Sequence, residues 1–415
     1  MNAEDAERWL LGLELFGMRF GLDRMRRMLT VLDHPERRFD QVHVVGTNGK
    51  SSTTRMLAAI LTQHGLEVGA YLSPHLTSYR ERIRIGDADI ERQAFADAIE
   101  RSRRAAELVN RNQPGDNLVT QFELLTAAAF SEFARRDVAV AVVEAGLGGR
   151  FDATNVIRSR VQVLTTVGLE HTRWLGTTVA AIAREKLDVV QPGGTLVLGA
   201  GLHPDAVAVA EEVAAARGAR LVHAGADPGV HVGALGAYQR RNFALARTAA
   251  EAFLGELDPA AVDAAATAVR VPGRLQVVGE EPLTLLDGAH NPDGIAALAE
   301  SLPEIAAPGQ RVVAVVSILD DKDVDSMLRG LGQVTDALVL TASQNPRALS
   351  PEALAVRAAE LGGPPAEVVH GPVSALARAR ELAGPDGVVV VTGSIYLLGD
   401  VLADRAAGDR RASIL

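Results

Sequence analysis

The stretch VHVVGTNGKSSTTRMLAAILTQHG, residues 42–65, places an apolar strand, a glycine-containing loop, a Lys-Ser pair and a helical pattern in immediate succession. This order is typical of a P-loop, in which backbone N–H groups and a helix N-terminus surround a phosphate. Gly46 and Gly49 permit the tight turn. Lys50 supplies a point charge for the β- and γ-phosphates, and Ser51 offers its hydroxyl to Mg²⁺. The first glycine of the general pattern is a valine here, so the sequence predicts a variant P-loop.

Lysine is rare in this chain. There are 39 arginines but three lysines, at positions 50, 186 and 322. Arginine cannot replace lysine where a compact charge or a reactive neutral amine is needed. Lys186, in IAREKLD, lies on an apolar helical pattern, where burial favours the neutral, reactive amine. Lys322, in LDDKDVD, follows a predicted strand, and whether it has a direct role is left open.

Composition narrows the class of protein. A chain of 415 residues favours two domains. The formal net charge of −10 argues against a nucleic-acid or anionic-membrane partner. There is no cysteine, which excludes disulfides, thiolate metal sites and cysteine nucleophiles. The N-terminal residues lack the basic segment of a signal peptide, and no apolar run is long enough to span a bilayer. We therefore expect a cytoplasmic enzyme.

Short apolar strand patterns alternate with Ala- and Leu-rich helical patterns along the chain. This alternation predicts an α/β fold with parallel sheets covered on both faces. A Val-Pro-Gly-Arg segment without a strong neighbouring strand places the domain junction near residue 270. The predicted strands are 42–45, 138–143, 162–166, 195–198, 283–286, 312–316, 337–340 and 387–391; predicted helices include 52–64, 122–135, 242–254 and 292–301.

Two further residues follow predicted strands and have metal-binding side chains. Glu144 ends the apolar run VAVAVV, and in a P-loop fold a metal-holding carboxylate belongs at this strand end. His171, in GLEHT, follows the run VLTTV, and imidazole is a common metal ligand. A lone histidine is more often structural, so the P-loop nearby is what favours a metal site.

Taken together, the motifs of this chain resemble those of the Mur-ligase superfamily, and most closely those of folylpolyglutamate synthase/dihydrofolate synthase. The resemblance implies an N-terminal P-loop-type ATPase domain, residues 1–270, with ATP, metal and folate sites, and a smaller C-terminal Rossmann-like domain, residues 271–415. The motifs are FGMRFGLDRM (16–25), GTNGKSS (46–52), LSPH (72–75), VVEAGLGGRFDATN (142–155), GLEHT (168–172), DGAHNP (287–292) and VTGSIYLLGDVL (391–402).

The resemblance implies an ATP-dependent amide ligase. A substrate carboxylate attacks the γ-phosphate to give an acyl phosphate, and the amino group of glutamate then displaces phosphate. Catalytic roles are implied for Lys50, His171, Lys186 and His290. The implied ATP contacts are Gly46, Thr47, Asn48, Gly49, Lys50, Ser51, Ser52, Asn242, Arg274 and Asp287.

The same resemblance implies two Mg²⁺ sites and a folate site. It identifies Lys186 with the family lysine that carries a carbamate, a metal ligand that arginine cannot become. The implied metal ligands are Ser51, Ser73, Glu144, His171 and Lys186. The implied folate contacts are Gly21, Leu22, Asp23, Arg24, Thr120, Gln121, Phe122, Glu123, Phe151, Asp152 and Ala153.

Three positions depart from the family pattern, and alternatives remain open. Phe151 replaces the usual leucine and is bulky for the expected pterin pocket, Ser51 replaces a glycine, and Glu170 replaces an aspartate. Arg82 and Arg84 either steer an anionic glutamyl tail or lie on a solvated strand. The alternative functions are a Mur-type ligase for a non-folate acid and, less in keeping with the motifs, a P-loop NTPase switch. A monomer is expected from the resemblance.

Overall fold

The computed structural model describes residues 1–13, 21–111 and 118–412, with side chains of the last helix described up to Asp404. The chain divides into two compact units. Unit 1 comprises residues 1–232 and 241–269, and unit 2 comprises residues 233–240 and 270–415. Among the described residues, no helix is long and apolar enough to cross a membrane.

Unit 1 is built around an eight-stranded sheet. Its strands are β1 (Asp40–Val45), β2 (Val68–Tyr71), β3 (Ile83–Ile85), β4 (Ala88–Asp89), β5 (Val140–Glu144), β6 (Val161–Leu164), β7 (Thr195–Leu198) and β8 (Arg220–His223). They lie in the order β4-β3-β2-β5-β1-β6-β7-β8. The P-loop strand β1 is therefore central, between β5 and β6 and parallel to both.

Helices cover both faces of this sheet. The helices are α1 (Ala3–Leu11), α2 (Asp23–Val31), α3 (Lys50–Gln63), α4 (Arg92–Asn110), α5 (Gln121–Arg135), α6 (Thr172–Leu175), α7 (Val179–Leu187), α8 (Pro204–Arg217), α9 (Ala237–Leu254) and α10 (Pro259–Ala268), and the first four residues of α9 belong to unit 2. One core cluster joins α1, α2, α4 and α5 to the sheet. A second joins α7 and α8 to β6 and β7.

Unit 2 is a smaller α/β unit with a six-stranded sheet. Its strands are β9 (Gln276–Glu280), β10 (Leu283–Leu286), β11 (Val312–Val316), β12 (Ala337–Leu340), β13 (Ala366–Val368) and β14 (Val388–Thr392), in the order β13-β12-β11-β14-β10-β9. The helices are α11 (Pro292–Ser301), α12 (Val324–Gly332), α13 (Pro351–Glu360), α14 (Pro372–Ala383) and α15 (Ile395–Ala412). The core cluster packs α11, α12 and α13 on the strands.

The predicted α/β fold is confirmed, but the expectation of purely parallel sheets is wrong at the edges. β3 pairs antiparallel with β2 and with β4, and β9 pairs antiparallel with β10. A short hairpin needs only a tight turn, whereas a parallel neighbour needs a crossover connection. Gly86, with φ of 56°, supplies that turn between β3 and β4. The strand β9 lies in the segment for which the sequence predicted no strong strand, and none of its residues is buried.

Candidate active site

The predicted P-loop lies at the carboxyl end of the central strand β1. The strand ends at Val45 and α3 begins at Lys50, with Gly49 in the left-handed region (φ 85°) at the helix N-cap. Gly46 also has a positive φ, of 151°, and a Cβ at this position would overlap the hydroxyl of Thr165. Both glycines are therefore required by the backbone, and the N-terminus of α3 begins directly at this loop.

Two threonines after β6, which the motif analysis did not assign, hold the loop in shape. The Thr47 N–H donates to the Thr166 carbonyl at 2.8 Å, and the Asn48 N–H donates to the Thr166 hydroxyl at 2.9 Å. Thr165 Oγ1 donates to the Asn48 carbonyl at 2.6 Å. The sequence signal was present, because a polar Thr-Thr pair directly after a buried strand lies at the same sheet edge as the P-loop.

Lys50 and Lys186 converge on one backbone carbonyl. Lys186 Nζ donates to the Gly46 carbonyl at 2.7 Å, and Lys50 Nζ lies 3.1 Å from the same oxygen and 3.0 Å from the Thr47 carbonyl. Lys186 projects from α7, 140 residues further along the chain. The structure thus brings two of the three lysines to the P-loop.

Lys186 is buried, with 4% of its surface exposed. Burial, together with the positive charge of Lys50, lowers the pKa of its ammonium to about 7, against an opposing effect of Glu170, Asp152 and Glu185. A neutral, nucleophilic amine is therefore available near neutral pH. Glu170 and Asp152 are not partners that sequence spacing alone could have identified.

Three of the predicted metal-binding residues meet beside the P-loop. Ser51 Oγ donates to Glu144 Oε1 at 2.9 Å, and the Ser73 N–H donates to Glu144 Oε2 at 3.1 Å. Ser51 Oγ also lies 3.4 Å from the Ser73 carbonyl. Glu144 is buried at the end of β5. A carboxylate, a hydroxyl and a backbone carbonyl are hard oxygen donors, which fit Mg²⁺ chemically.

His171 occupies a different position from the one that the strand pattern suggested. It is not at the strand end but at the N-cap of the one-turn helix α6, in the left-handed region with φ of 52°. Its Nε2 lies 3.8 Å from Glu170 Oε1, and 39% of its side chain is exposed. Within the described ranges, no three His, Asp or Glu side chains are close enough together to hold a metal ion.

The remaining predicted nucleotide contacts of unit 1 lie around the loop. Ser52 and Thr47 are buried. Asn242, on α9, is 9% exposed, and its Oδ1 would lie 2.6 Å from a Cβ at position 49. Gly49 thus lies directly against the Asn242 amide.

Several predicted folate residues hold the scaffold together. Arg24 and Glu123 form a buried ion pair at 3.1 Å, and Glu123 also closes the capping box of α5 with Thr120. Gln121 donates to the Leu10 carbonyl at 2.8 Å. These polar groups tie α1 and α2 to α5. Gly21, Leu22 and Asp23 lead into α2, and of the motif 16–25 the residues 16–20 lie outside the described residues.

The glycine-rich turn after β5 presents a different set of predicted folate residues. The Phe122 ring lies against Gly146 and 5.9 Å from the Tyr71 ring. Phe151 is 42% exposed, whereas Asp152 and Ala153 are buried. Of the three residues 151–153, only the phenylalanine is open to a ligand in this arrangement.

Asp152 is held by its own loop. Its carboxylate accepts from the Leu147 N–H at 2.8 Å, the Thr154 N–H at 3.0 Å and the Thr154 hydroxyl at 2.5 Å. His43 Nε2 lies 2.8 Å from that hydroxyl. Burial raises the pKa of Asp152 and lowers that of His43 to about 3. Asp152 thus shapes the turn that carries Phe151.

In unit 2, Arg274, Asp287 and His290 lie near one another. The Asp287 carboxylate accepts from Tyr238 Oη at 2.6 Å, the Leu275 N–H at 3.0 Å and the Ala289 N–H at 2.9 Å. Arg274 packs against Gly288. His290 Nδ1 lies 2.9 Å from the Gly288 carbonyl. Burial raises the pKa of Asp287.

Lys322, also in unit 2, lies 3.7 Å from Asp321, and its side chain is 11% exposed. Sequence analysis missed a neighbouring feature: a set of buried hydroxyls at the carboxyl edge of this sheet. The side chains of Thr341, Ser343 and Thr392 are buried and, within the described residues, have no hydrogen-bond partner. Such hydroxyls are costly to bury unless a ligand or water satisfies them.

Comparison with known proteins identifies a matching family and similar proteins. Residues 273–395 match the family described as Mur ligase, glutamate ligase domain. The chain is 30% identical to the dihydrofolate synthase/folylpolyglutamate synthase of Bacillus subtilis, over 96% of this chain and 98% of that one. It is 34% identical, over 96% of its length, to a probable bifunctional folylpolyglutamate synthase/dihydropteroate synthase of Haloferax volcanii, of which it spans only 50%.

The fold of this chain is similar, over nearly its full length, to that of a solved structure. That structure is a bifunctional folylpolyglutamate synthase/dihydrofolate synthase with Mn, AMPPNP and L-glutamate bound. The TM-score is 0.85 at 31% identity, covering 97% of this chain and 98% of that one. The resemblance read from the motifs is confirmed: the chain belongs to the folylpolyglutamate synthase/dihydrofolate synthase family of the Mur ligases.

Proposed function

We propose that this chain joins glutamate to the carboxylate of a folate at the expense of ATP, through an acyl phosphate, with release of ADP and phosphate. The observation that carries the proposal is the convergence of Lys50, Ser51, Glu144 and buried Lys186 on one P-loop. A simple NTPase switch has no need of a buried lysine with a lowered pKa at that position. The family relationship and the ligands of the solved relative support ATP, a divalent metal and glutamate as ligands.

Lys50 and the first turn of α3 bind the triphosphate. The Lys50 ammonium now donates to two loop carbonyls, and the phosphate oxygens are stronger acceptors that draw it outwards. The N–H groups at the start of α3 add partial positive charge to the same place. This chain therefore stabilises the negative charge that develops as the substrate carboxylate attacks the γ-phosphate.

Ser51, Glu144 and Ser73 would hold Mg²⁺. When bound there, the ion offsets the repulsion between the triphosphate and the attacking carboxylate. A second metal site rests on Lys186 and His171. The neutral Lys186 amine attacks CO₂, an N–C bond forms, and one proton leaves to give an anionic carbamate. Its anionic oxygens would complement the His171 imidazole as metal ligands.

The folate site of unit 1 is proposed around Phe122 and Phe151, on the scaffold of Arg24 and Glu123. Contacts of Arg274 and Asp287 with the nucleotide, and of His290 with its phosphate end, are proposed from the family resemblance. The same holds for a role of Lys322 with phosphate or glutamate, for a monomeric state and for a cytoplasmic location. Domain roles are proposed as predicted, ATP binding in residues 1–270 and ligation in 271–415.

Phosphate release from ATP tests the proposal. It is measured with glutamate plus dihydropteroate, with glutamate plus tetrahydrofolate, and with ATP alone. We expect release to require both an acid and glutamate. Release that is independent of both would contradict the ligase proposal and favour the NTPase alternative.

The exposed Phe151 ring favours one second candidate, a ligase of the same type for another acid. Turnover with a non-folate acid alone would establish it and would leave the ligase mechanism intact. The Phe151→Leu variant sharpens this test, because it restores the residue usual in the family. An increase of folate turnover in that variant would assign the choice of acid to this position.

A further inference from the structure

The imidazole of His43 lies in the core of unit 1, and the function described so far gives it no role. His43 is on the central strand β1, shortly before Gly46, and is 1% exposed. Its neighbours in register are Val143 on β5 and Gln162 on β6. Val143 belongs to the core cluster with α4 and α5, and neighbours in register face the same side of a sheet. The imidazole therefore faces this cluster, where a polar ring needs a hydrogen-bond partner.

One ring nitrogen of His43 has a partner and the other has none. Nε2 lies 2.8 Å from Thr154 Oγ1. Nδ1 is buried and, within the described residues, makes no hydrogen bond. Burial lowers the pKa of His43 to about 3, so at neutral pH the ring is uncharged and carries a single N–H. The hydrogen bonding of this ring is therefore directed at Thr154.

The Thr154 hydroxyl connects the His43 ring to Asp152. Its Oγ1 lies 2.5 Å from Asp152 Oδ1. If the hydroxyl donates to the carboxylate, its oxygen accepts from His43 Nε2–H, and a lone pair of Nδ1 is all that stays unpaired. The reverse order puts the ring proton on Nδ1, where a buried N–H has no acceptor among the described residues. An unpaired buried N–H is rarer than an under-paired acceptor, so the donors run from Nε2–H to Oγ1–H to the carboxylate.

The Asp152 carboxylate also holds the start of the glycine-rich turn after β5. It accepts from the Leu147 N–H at 2.8 Å and from the Gly146 N–H. The Phe122 ring lies against Gly146, where a Cβ would be 2.6 Å from the ring's Cζ. Phe151 precedes Asp152 in the chain and is 42% exposed. The hydrogen bonds that begin at the imidazole thus end at the turn that supports both aromatic residues proposed for the folate site.

The other end of this turn is held independently. The Arg150 N–H donates to the Glu185 carbonyl at 3.0 Å, and a Cβ at Gly149 would lie 2.3 Å from the Lys186 carbonyl. The C-terminal part of α7 therefore fixes residues 149 and 150, whereas residues 146 and 147 are held by the carboxylate. Loss of the hydrogen bonds from the imidazole should loosen the first half of the turn and leave its contact with α7 intact.

We propose that His43 is a positioning residue for the acid substrate: it orients the Thr154 hydroxyl onto Asp152 and so fixes the turn that supports Phe122 and Phe151. It acts through Asp152 rather than on the reacting groups. That the acid is a folate rests on the proposed function, whereas the order of the hydrogen bonds does not. Because β1 also leads into the P-loop, the other route for an effect of the imidazole is through ATP binding, and the experiment separates the two.

Hydrogen exchange followed by mass spectrometry tests these hydrogen bonds without substrate. H43L removes the donor to Thr154, H43Q keeps an N–H at the place of Nε2, and T154V removes the hydroxyl. We expect the amides of residues 146–154 to exchange about tenfold faster in H43L and T154V, and at the wild-type rate in H43Q.

The matched control for hydrogen exchange is Q162L, on the same face of the neighbouring strand. Gln162 is also buried, but its Nε2 donates to the Ser159 carbonyl at 2.6 Å. We expect Q162L to leave exchange of the turn unchanged. Wild-type exchange of the turn in both H43L and T154V, or equally faster exchange in Q162L, overturns the proposal.

Steady-state kinetics test the effect on the acid substrate. With tetrahydrofolate as the acid, H43L and T154V should raise its KM about five- to tenfold, and leave kcat and the KM for ATP within about twofold of wild type. H43Q and T154S, which keep the donor and the hydroxyl, should have the wild-type KM. An equal rise in the KM for ATP would assign the effect of the imidazole to the P-loop and overturns the proposal.

Thermal unfolding of each variant separates misfolding from loss of these hydrogen bonds. If H43L does not fold, T154V tests the same hydrogen bonds from the other side of the hydroxyl. A wild-type protein that uses neither tetrahydrofolate nor dihydropteroate, but whose turn exchanges faster in H43L and T154V, refutes the proposed function and retains the positioning of the turn by His43.

Discussion

Units 1 and 2 place polar groups at the carboxyl edges of two similar sheets, but the groups differ in charge. At the edge of unit 1, Lys50 and Lys186 share one carbonyl, and Glu144 binds the Ser51 hydroxyl beside them. At the edge of unit 2, buried neutral hydroxyls accompany one carboxylate, Asp287, which is held by Tyr238. Similar topology thus carries different polar groups: two adjoining lysines and a carboxylate in unit 1, and buried hydroxyls with Asp287, Arg274 and Lys322 nearby in unit 2.

The largest effect should come from the lysines of unit 1. We expect K50R and K186R each to lower kcat at least about hundredfold, because the planar guanidinium neither fits the loop as a point charge nor forms a carbamate. The matched control R184K lies on the same helix, two residues from Lys186, with its side chain 56% exposed. Steady-state phosphate release measures all three. Wild-type turnover in K186R would refute the carbamate role.

The Asp287 carboxylate of unit 2 should contribute to the free energy of unfolding. D287N places an amide N–H₂ among three donors, from Tyr238, Leu275 and Ala289. We expect the free energy of unfolding to fall by about 2–3 kcal/mol, since a buried network loses an acceptor. Urea unfolding measures it, with D325N, whose side chain is 43% exposed, as control. An unchanged midpoint would show that these hydrogen bonds contribute little.

His43 in unit 1 should make the free energy of unfolding depend on pH in the acidic range. Its pKa is about 3 in the folded protein and 6.5 in the unfolded chain. The unfolded state therefore binds the extra proton between these values, and stability is lost as pH falls from 6.5 towards 3. H43Q keeps a donor to Thr154 but does not titrate. From pH 7.5 to pH 5, wild type should lose about 2 kcal/mol more than H43Q.

Urea unfolding of both proteins at the two pH values gives this difference directly. The control is H203Q, because the His203 side chain is half exposed at the surface. Equal losses in wild type and H43Q would place the acid sensitivity elsewhere.

The smallest expected effects are changes in stability at two threonines, one from each unit. Thr165 Oγ1 donates to the Asn48 carbonyl and supports the P-loop, whereas the buried Thr392 hydroxyl has no partner among the described residues. We expect T165V to cost about 1 kcal/mol and T392V to be neutral or slightly stabilising in thermal unfolding. The reverse order would mean that a bound water or ligand satisfies Thr392.

Much of the fold was predictable because the pattern of each element is local. The strands 195–198, 283–286, 312–316 and 337–340, and the helix 292–301, have the predicted bounds. These are continuous buried runs, or a helix with Asn291 as its N-cap and Pro292 in its first turn. The edge strands β3, β4 and β9 were not predicted as antiparallel, since short, partly exposed runs have no clear pattern.

The candidate site was predictable only in part, because a sequence pattern indicates local structure but not which distant side chains meet. Glu144 beside Ser51 follows from two strand ends at one edge. That Arg24 pairs with Glu123, or that Asp152 is used by its own loop, depends on side-chain packing between segments far apart in sequence. His171 lies in a one-turn helix rather than at the strand end, because β6 ends at Leu164 and the chain continues through a loop.

By itself, the sequence determined the α/β class, the P-loop and the family, because each depends on short motifs whose residues act through neighbours on the chain. Only the tertiary structure decided which charges meet. Lys186 reaches the Gly46 carbonyl from 140 residues away, and its pKa falls because unrelated segments bury it next to Lys50. Burial and electrostatic interaction are set by distance in space, and a linear pattern does not contain that distance.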